Sequence, residues 1–142
     1  MRFMIIVKAT KDSEAGVMPE EAMFAEMASY HEELARAGVL LDASGLKPSS
    51  EGFKVKYDGQ KRAVVDGPFT EAKELIAGYT LIQVKSREEA VEWARRFPNP
   101  VSPDADCEIE VRPLFELDDF EQNAAIDRFR ELGVSSEKAG GR

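Results

Sequence analysis

Apolar residues in this chain recur with two different periods, and the order in which those periods alternate restricts the fold more than any single residue does. Phe3-Met4-Ile5-Ile6-Val7 is a short continuous run of β-formers and predicts a strand covered on at least one face. Lys8 to Gly16 reads as loop. Pro19-Glu20-Glu21 then opens a helix, with proline in the first turn and acidic groups at the positive end of the dipole. Met23, Met27, Tyr30 and Leu34 recur at helical spacing up to Gly38, and these methionines read as packing rather than as a ligand patch.

Val39-Leu40-Leu41 resumes as a strand that runs toward Gly45 and Pro48, where a bend or an edge is expected. Phe53 to Tyr57 and Arg62 to Val65 are two further strands joined through Asp58-Gly59, a strong hairpin signal whose register stays open between loops of two to four residues. Thr70 to Ile76 is a short helix or an ordered loop, and Gly78 to Lys85 is the clearest strand in the chain. Ser86-Arg87-Glu88-Glu89 has the form of a capping box, with Ser86 as N-cap and Glu89 reaching back. Its helix carries Ala90, Val91, Ala94 and Phe97 inward until Pro98 and Pro100 stop it. Trp93 reads as an anchor at the core or its edge, not as a stacking platform for bases. Cys107 to Leu114 alternates with period two and predicts a last strand, in which Cys107 reads as a small buried hydrophobe.

The resulting order is β-α-β-β-β-β-α-β, two β-α-β halves around a hairpin. It predicts an α+β ferredoxin-like sandwich, an antiparallel sheet with helices on one face. The other face of such a sheet is uncovered, and strands this apolar make a partner subunit the expectation. Residues 1–115 form this domain. Residues 116–142 form a C-terminal helical extension, with Phe120, Ile126, Phe129 and Leu132 near helical spacing and a Ser/Gly-rich end expected to fray.

Composition narrows the function. The chain has 142 residues, room for one ordinary domain, and is 43% hydrophobic and 32% charged, as globular soluble proteins are. Its net charge of -8 opposes binding to nucleic acid or to an anionic membrane, both of which need basic surface, so small molecules or proteins are the expected partners. No run is apolar enough to span a bilayer, and Lys8 interrupts the start before a signal-peptide core forms. The single Cys107 leaves no intramolecular disulfide and no cysteine-based zinc site. A cytoplasmic location follows as an expectation.

The chemistry rests on few residues. Asp66-Gly67-Pro68-Phe69 places a carboxylate at a stiff turn, with Gly67 expected to take backbone angles closed to other residues and Pro68 fixing the exit. The only histidine, His31, sits one residue after inward-facing Tyr30, at the margin of the helix's apolar face. Free imidazole titrates at about pH 6.5, which suits proton transfer, and a nearby carboxylate would fix its tautomer. His31 and Asp66 are therefore the candidate acid–base pair. Each has a plainer reading: His31 as a hydrogen-bonded boundary histidine, and Asp66 as a turn starter that bonds nearby backbone donors. Two ligands do not make a metal site, and nothing in the spacing of Asp42 or Glu74 demands that either complete one, so no metal and no cofactor is expected.

Gly45-Leu46-Lys47-Pro48-Ser49, Asp66-Gly67-Pro68-Phe69 with Glu71, Lys73 and Glu74, Gly78-Tyr79, Glu89-Ala90 with Glu92-Trp93-Ala94, and Glu110-Val111-Arg112-Pro113 together resemble the YCII-related family, also called DGPF-domain proteins. The resemblance spans about residues 1 to 115, and the Asp-Gly-Pro-Phe block is its most specific element. It implies a ferredoxin-like fold that dimerises through its sheets into an α/β barrel, bacterial and cytoplasmic. It implies also a histidine and an aspartate as the active-site pair, here His31 and Asp66. Members are often encoded beside extracytoplasmic-function sigma factors, and most lack an established activity. Two functions follow as expectations: a small enzyme acting on a small organic compound by His31–Asp66 proton transfer in a dimer cleft, or a non-catalytic ligand-binding or regulatory dimer linked to sigma-factor-dependent transcription.

Overall fold

The computed structural model describes residues 1–139, and the last three residues of the expected frayed end lie outside them. The chain is α+β with antiparallel sheets. A four-stranded sheet is built from β1 (Arg2–Lys8), β2 (Leu40–Gly45), β5 (Ile76–Gln83) and β6 (Ile109–Pro113), in the order β2-β5-β1-β6. All three neighbouring pairs are antiparallel. The strands β3 (Phe53–Asp58) and β4 (Lys61–Asp66) form a separate two-stranded hairpin between β2 and β5.

Cross-strand partners share a face, so the register sorts the side chains. Phe3 lies opposite Ile82, and Ile5 opposite Thr80 and Val111. On that face pack the helices α2 (Glu21–Arg36), through Tyr30 and Leu34, and α3 (Arg87–Arg95), through Ala90. Val39 and Val84 complete the core, and Trp93 and Phe97 pack at its edge. The opposite face carries Met4, Ile6 and Leu81, all half-buried, with the Lys8–Glu110 ion pair at 2.8 Å beside them.

The C-terminal extension folds back over one end of this second face. Arg2, almost fully buried, donates from Nε to Glu116 at 2.8 Å and from its terminal nitrogen to the Phe115 carbonyl at 3.0 Å. Its cross-strand partner Gln83, 1% exposed, takes both backbone groups of Lys138: its amide donates to the carbonyl at 3.1 Å and its oxygen accepts from the N–H at 2.7 Å. Leu117 is buried beneath, and the N-terminal amine meets Glu137 at 2.7 Å. Between these contacts runs α4 (Ala124–Leu132), capped by Asn123 and ended by Gly133 at φ +73°.

Several expectations change. Thr10 and Ser13 form a reciprocal capping box that turns the expected loop into a single helical turn, α1 (Lys11–Glu14). The Glu89 carboxylate accepts from the Lys85 N–H at 3.1 Å, while Ser86 caps the Glu89 N–H as expected. Residues 70 to 75 contain a 3₁₀ turn, Ala72–Glu74, and β5 already begins at Ile76. Asp58 pairs with Lys61, leaving a two-residue loop with Gly59 at φ +62°. Cys107 is exposed rather than buried, because β6 begins only at Ile109; Asn99 holds the preceding loop by accepting from the Val101 N–H and the Cys107 thiol, both at 3.0 Å. Phe120 precedes α4 instead of joining it, and stacks on Phe115 at 4.9 Å.

Candidate functional site

His31 stands on the third turn of α2, four residues after Met27, and is half-buried. Its Nδ1 lies 2.7 Å from the Met27 carbonyl oxygen, which can only accept, so Nδ1 carries a proton. In the neutral ring Nε2 is then the acceptor, and the Thr80 hydroxyl, 2.8 Å away, donates to it. Thr80 is 2% exposed, at the centre of the sheet's helix-covered face. Tyr30 and Phe97 stand edge-on to the imidazole at 5.5 and 6.3 Å. Tyr30 donates its own hydroxyl to the Trp93 carbonyl at 2.7 Å, and burial pushes the phenol up to about 12, so this bond persists at any ordinary pH. His31 is thus oriented at both nitrogens within one chain.

Asp66 ends β4, opposite Phe53, and is exposed; its carboxylate makes no hydrogen bond among the described residues. The turn after it is tightly held. Gly67 donates to the Gly52 carbonyl at 2.9 Å, and the Phe69 N–H donates to Ser49 Oγ at 2.9 Å. Ser49 gives its hydroxyl to Glu14 and its N–H to the same carboxylate at 2.9 Å. The Ser49 hydroxyl, followed by its backbone N–H, holds the Glu14 carboxyl below its ordinary range. Gly67 has no positive φ, contrary to expectation; the site demands glycine because a Cβ there would fall 1.8 Å from the Ser49 carbonyl oxygen. Lys54 Nζ lies over the Phe69 ring at 4.3 Å.

The two candidate residues share no hydrogen bond within the chain, since both nitrogens of His31 are engaged by Met27 and Thr80. A shallow open cleft of about 530 Å³ lies along α2, lined by Glu26, Ser29, Tyr30, Glu33, Arg96 and Pro98, with Arg96 paired to Glu33 across it; neither His31 nor Asp66 lines it. Asp42, considered above as a third metal ligand, is engaged by the Tyr79 hydroxyl at 2.8 Å and by the Ala43 N–H at 2.8 Å. Among the described residues no three His, Cys, Asp or Glu side chains are grouped to hold a metal ion. No helix among them is long and apolar enough to cross a membrane.

Sequence reasoning missed Thr80, Glu14 and Ser49. Thr80 sits on the inward phase of the clearest strand, where a hydroxyl among apolar neighbours signals a polar partner. Ser49 lies in the segment that resembles the family, but nothing in the spacing ties it to Glu14, 35 residues earlier.

An antiparallel sheet with two helices on one face, a detached hairpin, and a histidine tied to a central strand define the class. The YCII-related domain family matches residues 1–117, and this chain belongs to that family. An uncharacterized protein of Rhizobium meliloti is 30% identical over 95 residues, covering 67% of this chain and 75% of its own length. Among solved structures, 5-chloro-2-hydroxyhydroquinone dehydrochlorinase from Burkholderia phenoliruptrix, in complex with 2,5-dihydroxybenzoquinone, aligns with a TM-score of 0.42 and 13% identity, over 82% of this chain and 95% of that one.

Proposed function

We propose that the protein is a small cytoplasmic enzyme that acts on a small organic compound by proton transfer, with His31 and Asp66 as its acid–base pair in a cleft completed by dimerisation. The strand order β2-β5-β1-β6 supports a ferredoxin-like sandwich, and the half-bare face with Met4, Ile6 and Leu81 supports its pairing with a second copy into an α/β barrel. The observation that carries the enzymatic reading is the pre-oriented imidazole. With Nδ1 tied to the Met27 carbonyl, Nε2 is the basic atom, and it exchanges one hydroxyl partner for another when a substrate displaces Thr80. Asp66 supports the reading as an unpartnered carboxylate on a turn fixed through Gly67 and Ser49.

A second reading is a non-catalytic ligand-binding or regulatory dimer, tied to sigma-factor-dependent transcription. It is favoured by the same Nε2–Thr80 bond, which satisfies His31 without any ligand. Thermal-shift screening of wild type, Asp66→Asn and His31→Gln against a library of small organic compounds separates the two, because a ligand of the folded state raises Tm. Compounds that bind wild type, lose binding in both variants and are chemically converted support catalysis. Compounds bound without turnover support the second reading. Binding unchanged in both variants returns His31 and Asp66 to the scaffold.

A further inference from the structure

Every residue of the β3–β4 hairpin is exposed, although its residues alternate as if one side were meant for burial. Register puts Phe53, Val55, Tyr57, Arg62, Val64 and Asp66 on one side, where Phe53 and Val64 stand 62% and 68% exposed. A lone two-stranded ribbon is marginal in water, and an apolar side of this size marks an interaction surface. The root is nevertheless rigid: Gly52 and Gly67 are bonded to each other, and Ser49 clamps both the turn and Glu14. A ribbon held at its root and bare along its length is oriented in advance for a partner, which lowers the entropy lost on docking.

Charge indicates which partner. Arg62 is the cation on the apolar side, its guanidinium over the Tyr57 ring at 4.9 Å, while register puts Lys54, Lys56 and Lys61 on the opposite side, so the hairpin as a whole is cationic in a chain of net charge -8. Directly after the clamped Glu14, the α1–α2 corner is the reverse: Glu20, Glu21 and Glu26 without a basic residue, around Met18 and Phe24, which are 75% and 51% exposed. Because the Glu14–Ser49 bond joins the two surfaces at one place in the fold, each copy presents arm and acceptor side by side. A two-fold contact then forms twice, the arm of each copy meeting the corner of the other. The lysines at the ribbon's edges oppose open-ended strand pairing, leaving the apolar side as the surface for association.

We propose that two copies of this chain exchange their β3–β4 hairpins, the Val55 and Val64 side of one lying on the Met18 and Phe24 patch of the other, with Arg62 facing the Glu20 and Glu21 carboxylates. Phe24 and His31 are seven residues apart on α2 and therefore lie along one side of the helix. A docked arm accordingly runs beside the helix face that carries His31, and the arm is the element that bears Asp66. The exchange rests on the dimeric reading above and adds a second contact to the pairing of the sheet faces.

Disulfide trapping tests it in a Cys107→Ser background, with Val64→Cys in one chain and Met18→Cys or Phe24→Cys in the other. Mixed under a glutathione redox buffer, the two chains should form a covalent heterodimer in preference to either homodimer. In parallel, Arg62→Glu should weaken sedimentation dimers about tenfold or more at low salt. Mixing it with Glu20→Lys/Glu21→Lys chains should restore association. A dimer in sedimentation that yields no cross-link overturns the exchange and leaves dimerisation standing, with the arm covering another surface. A monomer at micromolar concentration overturns both.

Discussion

A Cβ placed on Gly67 would stand 1.8 Å from the carbonyl oxygen of Ser49, and no rotation of a side chain can relieve the overlap, because the atom it meets is backbone. The Asp-Gly-Pro-Phe turn and the segment around Ser49 are in contact through their main chains, so they form one unit that fixes the root of the hairpin. Gly67→Ala should therefore destabilise the fold by about 1 to 3 kcal/mol, as overpacking does, with loss of the Gly67–Gly52 hydrogen bond. Urea denaturation followed by circular dichroism checks this, and a midpoint equal to that of wild type would mean the two segments separate freely.

The same unit has an acid-sensitive clamp. Ser49 holds the Glu14 carboxyl below its ordinary range, so Glu14 binds its proton less readily folded than unfolded. Stability from this bond is therefore fully present above the unfolded carboxyl value and is lost as pH falls through the lower folded value. Carbon-detected NMR titration should find the Glu14 carboxyl titrating below an ordinary glutamate, and Ser49→Ala should move it upward. If Ser49→Ala left the midpoint in place, the clamp would not form in solution.

How much of this could be read from the sequence depends on how far apart the partners lie. The helix of Met23, Met27, Tyr30 and Leu34, the alternating strands and the hairpin at Gly59 are encoded by local period and turn chemistry, and they form as expected. Cys107 misleads because its alternation is genuine, yet Asn99 keeps the backbone in a loop until Ile109. The Asp66 turn was visible, but its glycine is needed for contact with a segment far away in sequence, not for a local backbone angle. Likewise nothing near Gln83 announces that its amide will bond the backbone of Lys138, 55 residues on, since any peptide group offers the same donor and acceptor. Polar pairing across the fold carries no period, and that is where the site and the tail are decided.

The tail's attachment gives a third expectation. Glu116 is the carboxylate facing Arg2, whose side chain is 8% exposed, and the Phe115 carbonyl takes only part of the guanidinium's hydrogen bonding. Glu116→Ala leaves that cation short of a partner, at a cost of about 1.5 to 3 kcal/mol, the range for hydrogen bonds to charged groups. The variant should also loosen the Gln83–Lys138 contact, which hydrogen exchange at the Lys138 amide would register. Unchanged exchange together with an unchanged melting temperature would place the tail's anchorage elsewhere.

The histidine itself can be tested without knowing any substrate. Because the Met27 carbonyl accepts from Nδ1, the neutral imidazole of His31 should be the Nδ1–H tautomer, read from nitrogen chemical shifts at about pH 8, where a typical histidine is neutral. Thr80→Val keeps the Met27 bond and hence the tautomer, while it strips the half-buried Nε2 of its donor; Thr80→Ser keeps the donor. Thr80→Val should therefore lower stability by about 1 to 3 kcal/mol, the cost of an unsatisfied acceptor, and Thr80→Ser should lose less. A structural role ends there. A catalytic role adds a second signature, since a substrate hydroxyl can donate to the Nε2 left without Thr80 in Thr80→Val, and its nitrogen shift should then respond to an added alcohol or phenol. An Nε2–H tautomer in wild type would contradict the geometry of α2 directly, and with it the assignment of Nε2 as the basic atom.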